Sequence, residues 1–78
     1  MSTQHIRNIS LRIFRQYLES KGLKCQSTKG GHEKWAGHCV NRPITLQSHI
    51  DPVPEFVVRQ ALRTLGVDKE DFFHFFDV

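Results

Sequence analysis

Lys29, His32 and Lys34 fall within one short run, Lys29-Gly30-Gly31-His32-Glu33-Lys34-Trp35. These residue types suit the handling of a phosphate. Glycine lets a ligand approach the main chain closely, lysine offers phosphate a point charge, and histidine is the side chain that exchanges a proton near neutral pH. The amides of Gly30 and Gly31 add donors of the kind that cradle anions. A second imidazole, His49, follows later in the chain; it reads first as a turn residue that hydrogen-bonds the backbone, and otherwise as a candidate for positioning or proton transfer.

Metal chemistry is the first alternative, because Cys25, His32, His38, Cys39 and His49 are all potential ligands. Their spacing argues against it. Zinc sites typically bring ligands in pairs about two to four residues apart, and neighbours such as His38 and Cys39 rarely reach one ion together. No metal and no other cofactor is expected. Cys25 and Cys39 are expected to remain free thiols, as a reducing cytosol dictates.

With 78 residues the chain is expected to form one domain with few elements. Lys and Arg number 11 against 8 Asp and Glu, a net charge of +3, which favours an acidic partner such as nucleic acid. No apolar run is long enough to cross a bilayer, and the amino end lacks the basic start and apolar core of a secretory signal. A cytoplasmic protein without membrane contact is expected.

The elements that must position these residues follow from periodicity. Ile9, Ile13 and Tyr17 form one stripe and Leu11, Phe14 and Leu18 the next, so a helix is predicted over about residues 9 to 21. Asn8 or Ser10 can cap it, Gly22 can end it, and Arg12, Arg15, Gln16 and Glu19 would form its wet face. Leu23 to Ser27 alternates as a half-buried strand, and Lys29, Gly30 and Gly31 make a turn. In a second strand, His32 to Ala36, the imidazole and Lys34 point to one face while Glu33 and Trp35 point to the other. Trp35 is thereby expected in the core. Ile44 to Gln47 reads as a third strand, completing an antiparallel meander.

Pro54 suits the first turn of a second helix, whose Val58, Ala61, Leu62 and Leu65 share a face and which stops at Gly66. Its Arg59 and Arg63 share the opposite face, usually solvated but able to touch phosphates. From Asp68 the acids precede Phe72, Phe73, Phe75 and Phe76, which suggests a short third helix. So many large apolar groups must dock on the core, on a second copy or on a partner.

This order of helix, three strands and helix resembles the HicA family of toxins from bacterial type II toxin-antitoxin systems. The resemblance rests on Lys21-Gly22-Leu23 closing helix 1, on Gly31-His32-x-x-Trp35, on Thr45-Leu46-x-x-His49, and on Leu62-x-x-Leu65-Gly66-Val67. It covers about residues 9 to 67 and leaves 68 to 78 as an aromatic extension of a single domain, residues 1 to 78. Glu33 stands where many relatives carry a second histidine, and Gln47 where a proline is common.

The resemblance implies a small double-stranded-RNA-binding-like α+β fold and a metal-independent endoribonuclease acting on mRNA. It maps the catalytic histidine onto His32. Lys29, Gly30, Gly31, Lys34 and His49 would then contact the RNA. A base that draws the proton from a 2′-hydroxyl and an acid for the leaving oxygen are what such cleavage needs. The implied partner is a HicB-type antitoxin covering the His32 face, and the aromatic tail offers a surface for self-association.

The alternative is a non-catalytic RNA-binding or protein-interaction module. Small domains that grip double-stranded RNA hold lysines at the start of the second helix, where this chain reads Pro52-Val53-Pro54-Glu55. That start weakens a pure duplex-binding reading.

Overall fold

Six elements follow one another in a computed structural model that describes residues 8–38 and 40–76. They are α1 (Leu11–Ser20), β1 (Lys24–Lys29), β2 (His32–Ala36), β3 (Ile44–Gln47), α2 (Glu55–Leu65) and α3 (Lys69–Phe76). The polar segment Met1 to Arg7, whose composition predicts a frayed end, lies outside the described residues, as do the Cys39 thiol and the Phe76 side chain. The architecture is α+β, with an antiparallel sheet in the order β1-β2-β3.

Helix α1 starts two residues later than the periodicity predicts. Ile9 is drawn into an isolated bridge with Val53, whose N–H donates to the Ile9 carbonyl at 2.8 Å. Ser10 then caps the helix by accepting from the Ile13 N–H at 3.1 Å, and Asp51 Oδ1 accepts from the Leu11 N–H at 3.0 Å. Two amides that a helix start leaves open are thus satisfied, one locally and one from across the fold.

Both long helices stop in the same way. Gly22 and Gly66 take φ of 85° and 75°, and the following residue donates back to the helix, Leu23 to Leu18 O and Val67 to Leu62 O, each at 3.1 Å. This is the Schellman closure, which a left-handed glycine makes accessible. Pro54 is the residue before α2 rather than part of its first turn, and its carbonyl accepts from Val57 and Val58.

The β1–β2 turn contains only Gly30 and Gly31, both with positive φ, as a primed two-residue hairpin turn requires. Lys29 therefore belongs to β1 and pairs with His32, and the strand extends two residues beyond the predicted Ser27. The pairing is interrupted between Cys25 and Ser27, where Gln26 is the extra residue of a bulge. The expectation that β1 is half-buried fails. All six of its residues are exposed, because the helices cover β2 and the other edge strand, β3, but not β1, and only Leu23 just before it enters the core.

One face of the sheet contributes Trp35, Ile44 and Leu46 to a core shared with Phe14, Leu18, Val58, Ala61 and Leu62. Leu65 is packed against this cluster and is only partly buried. Helix α3 completes the core from the carboxyl side. Phe72 is fully buried and Phe73 nearly so; Phe72 meets Tyr17 edge to face at 4.9 Å between ring centres, and Phe75 leans on Tyr17 at 5.5 Å. The Tyr17 hydroxyl donates to Asp71 Oδ2 at 2.7 Å, and Lys21 Nζ lies 2.6 Å from the same oxygen. Burial, reinforced by the bond to Asp71, pushes the Tyr17 phenol upward, while Lys21 and then Tyr17 hold the Asp71 carboxyl low. At least two of the tail's phenylalanines thus serve this chain's own core. Among the described residues no helix is long and apolar enough to cross a membrane.

Removing the Phe72 ring should leave a void at the junction of α1 and α3. Phe72→Ala is expected to lower unfolding stability by about 3–5 kcal/mol, whereas Phe56→Ala, at an exposed ring, should change it by less than about 0.5 kcal/mol. Urea unfolding followed by circular dichroism measures both.

Candidate functional site

The alternation expected of β2 holds. His32 and Lys34 are exposed on the face turned away from the helices, while Glu33 and Trp35 are buried on the other. The pairing register sets their neighbours. Lys29 and Gln47 flank His32, Ser27 and Thr45 flank Lys34, and Lys24 pairs with Ala36. Paired residues share a face, so the open face carries Lys24, Lys29, His32 and Lys34. Between Glu19 and Asp51 the chain has a single acid, Glu33, and that one is turned inward. The three lysines have no acidic partner among the described residues.

Glu33 was not expected to anchor the site. It is the single buried polar or charged residue among those described. Arg15 donates to it through both Nε and a terminal nitrogen, Trp35 Nε1 donates to Oε1 at 3.0 Å, and Ser48 Oγ donates to Oε2 at 2.6 Å. Burial pushes this carboxyl upward, but the bonds from Arg15, Ser48 and Trp35 outweigh it and bring the pKa from 4.5 to about 2. The bond from Glu33 raises the Arg15 guanidinium in turn, against the opposing effect of its burial. Arg15, assigned by periodicity to the wet face of α1, instead lies half-buried at its margin. The signal was present: a carboxylate that alternation places on the core face needs a cation.

This cluster joins α1, β2 and the chain leaving β3 directly behind His32. Ser48 also donates its N–H to the Gly31 carbonyl at 2.7 Å, tying the β3 exit to the turn. His49 follows, and its ring lies where a Gly31 side chain would stand: a Cβ there would come within 2.9 Å of Nδ1. Gly31 is therefore required twice, by its φ of 82° and by the imidazole against it. The structure thus gathers Lys29, Gly30, Gly31, His32 and His49 at one end of the sheet, with Lys34 in the middle of β2 on the same face as His32.

The His32 imidazole makes no hydrogen bond among the described residues. His38 and Cys25 are exposed, Cys39 lies outside the described residues, and no group of three His, Cys, Asp or Glu side chains able to hold a metal occurs among those described. The arrangement can offer an imidazole, lysine charges and turn amides to an anion approaching from solvent. No protein-family model, curated protein or solved structure matches the chain.

Two stability tests follow from this geometry. Because the Glu33 pKa is lower in the folded chain than its ordinary value, its contribution is complete above about pH 4.5 and lost as the pH falls toward about 2. That contribution is roughly 3 kcal/mol. Urea unfolding at a series of pH values should show the loss, and Glu33→Gln should flatten it while lowering stability at neutral pH. Gly31→Ala should destabilise more than Gly30→Ala, since both have positive φ but only Gly31 also meets a ring. The left-handed backbone alone costs an alanine about 1–2 kcal/mol, so thermal unfolding should separate the two variants by the cost of displacing His49.

Proposed function

We propose that this protein is a metal-independent endoribonuclease whose catalytic residue is His32. The observation that carries the reading is the acid-free open face on which His32 stands between Lys29 and Lys34, at the end of a glycine turn. An RNA phosphate approaching that face meets positive charge and no carboxylate. His32 takes the proton from the 2′-hydroxyl as that oxygen attacks the adjacent phosphorus. A cyclic phosphate forms as the bond from phosphorus to the 5′-oxygen breaks, and that oxygen takes a proton from water while His32 keeps the one it removed. Lys29 and Lys34 offset the charge that builds on the phosphoryl oxygens, the Gly30 and Gly31 amides hold them, and His49, packed on Gly31, is the positioning group.

The element order and the Gly31-His32-x-x-Trp35 spacing support placement among HicA-like toxins with a double-stranded-RNA-binding-like fold. On that reading the protein acts on mRNA in the cytoplasm, and a HicB-type antitoxin neutralises it by covering the His32 face. Self-association would have to use surface other than Phe72 and Phe73, which are already buried.

A second reading, RNA binding without catalysis, is favoured by one observation: no side chain among those described orients His32. Purified protein incubated with a long single-stranded RNA in excess EDTA separates the two. Cleavage by the wild type that leaves 2′,3′-cyclic phosphate ends, lost in a folded His32→Ala variant, is the expected result, with a fall of at least about 100-fold in rate. RNA bound by both forms and cut by neither would establish the binding module instead.

A further inference from the structure

Beside the open face, a groove of about 380 Å³ runs between β3 and α2, lined by Arg42, Thr45, Gln60, Arg63 and Thr64 among others. No acidic residue lines it. Neither Arg42 nor Arg63 has an acidic partner among the described residues, in contrast to Arg59 on the same helix, which is paired with Glu55 at 2.8 Å. Two unpaired guanidinium groups facing a polar groove complement an anion.

The groove lies on the helix side of the sheet and meets the His32 face at the β3 edge. Thr45 pairs with Lys34 in the β2–β3 register and also lines the groove. One strand spacing, about 4.8 Å, therefore separates the Lys34 backbone from the groove's wall. An extended polyanion that meets Lys29 and Lys34 can continue over Thr45 and reach Arg42 and Arg63 without crossing an acid.

We infer that the groove between β3 and α2 is a second phosphate-binding subsite, which takes the backbone of the single-stranded RNA whose reacting phosphate lies at His32. This rests on the ribonuclease reading and adds to it the path of the strand. Affinity for long RNA then depends on Arg42 and Arg63, although neither takes part in the proton transfers.

The test measures binding of a fluorescein-labelled oligouridylate of about 12 nucleotides, with every protein carrying His32→Ala so that the RNA stays intact. The Arg42→Ala/Arg63→Ala pair should weaken binding and lower the slope of log affinity against log salt by about 1.4, two phosphates at about 0.7 each. Between about 50 and 200 mM salt the parent should lose about sevenfold more affinity than the double variant. Arg42→Lys/Arg63→Lys should restore most of the slope, since lysine keeps the charge. Both arginines are exposed and unpaired, so circular dichroism should report unchanged folding.

Equal affinity and equal slope in parent and double alanine variant would overturn the groove and leave the His32 assignment standing. Weakened binding by the double variant, together with no cleavage by the wild type in EDTA, would support the groove and remove the catalytic reading. No RNA binding by the parent protein would overturn both.

Discussion

A buried carboxylate with its donors in place is the constraint on which the rest of this fold turns. Taking Glu33 out of water is costly unless its lone pairs are met, and Arg15, Trp35 and Ser48 meet them from three different parts of the chain. That set cannot form unless α1 lies against β2 and the chain leaving β3 curls back toward the turn. The same bonds fix the register of β2, and with it the face on which His32 and Lys34 emerge. The core acid also leaves the outer face of the sheet without negative charge. Stability and surface potential therefore have one origin.

The remaining core is small and depends on rings. Phe14, Tyr17 and Phe72 form a cluster in which each ring touches the other two, and aromatic groups give a short chain much buried area per residue. Helix α3 is thereby integral to the packing. Its hold on α1 is doubled by Asp71, which receives the Tyr17 hydroxyl and the Lys21 ammonium together.

Much of this was legible in the residues. Periodicity gave β2 and β3 their observed bounds, and the two glycines after the helices marked their ends, because a left-handed closure has few other candidates. Opposite faces for His32 and Trp35 followed from the pleat alone. The failures have physical causes. Ile9 left its helix for a bridge with Val53, forty-odd positions away in the chain, and no local pattern encodes such a partner. The alternation of β1 matches that of a strand with one covered face, as in β3, but which edge is covered depends on where the helices lie. Arg15 was placed in solvent because helix spacing ranks it with the polar face, whereas its role is set by a carboxylate on another element. Among the site residues, the proximity of His49 to Gly31 arises from the Ser48 hydrogen bonds, a tertiary event that spacing does not reveal.

The bulge at Gln26 has a consequence for how this surface is charged. Lys24 and Lys29 are an odd number of positions apart, and in an unbroken strand they would project from opposite sides. The single additional residue reverses the parity halfway along β1, so both lysines come out on the side of His32. An inserted residue, rather than any choice of side chain, thus decides how many positive groups line that side. Losing or gaining one position there would redistribute charge while leaving the composition almost untouched, which makes the length of this strand as much a determinant of its electrostatics as its lysines are.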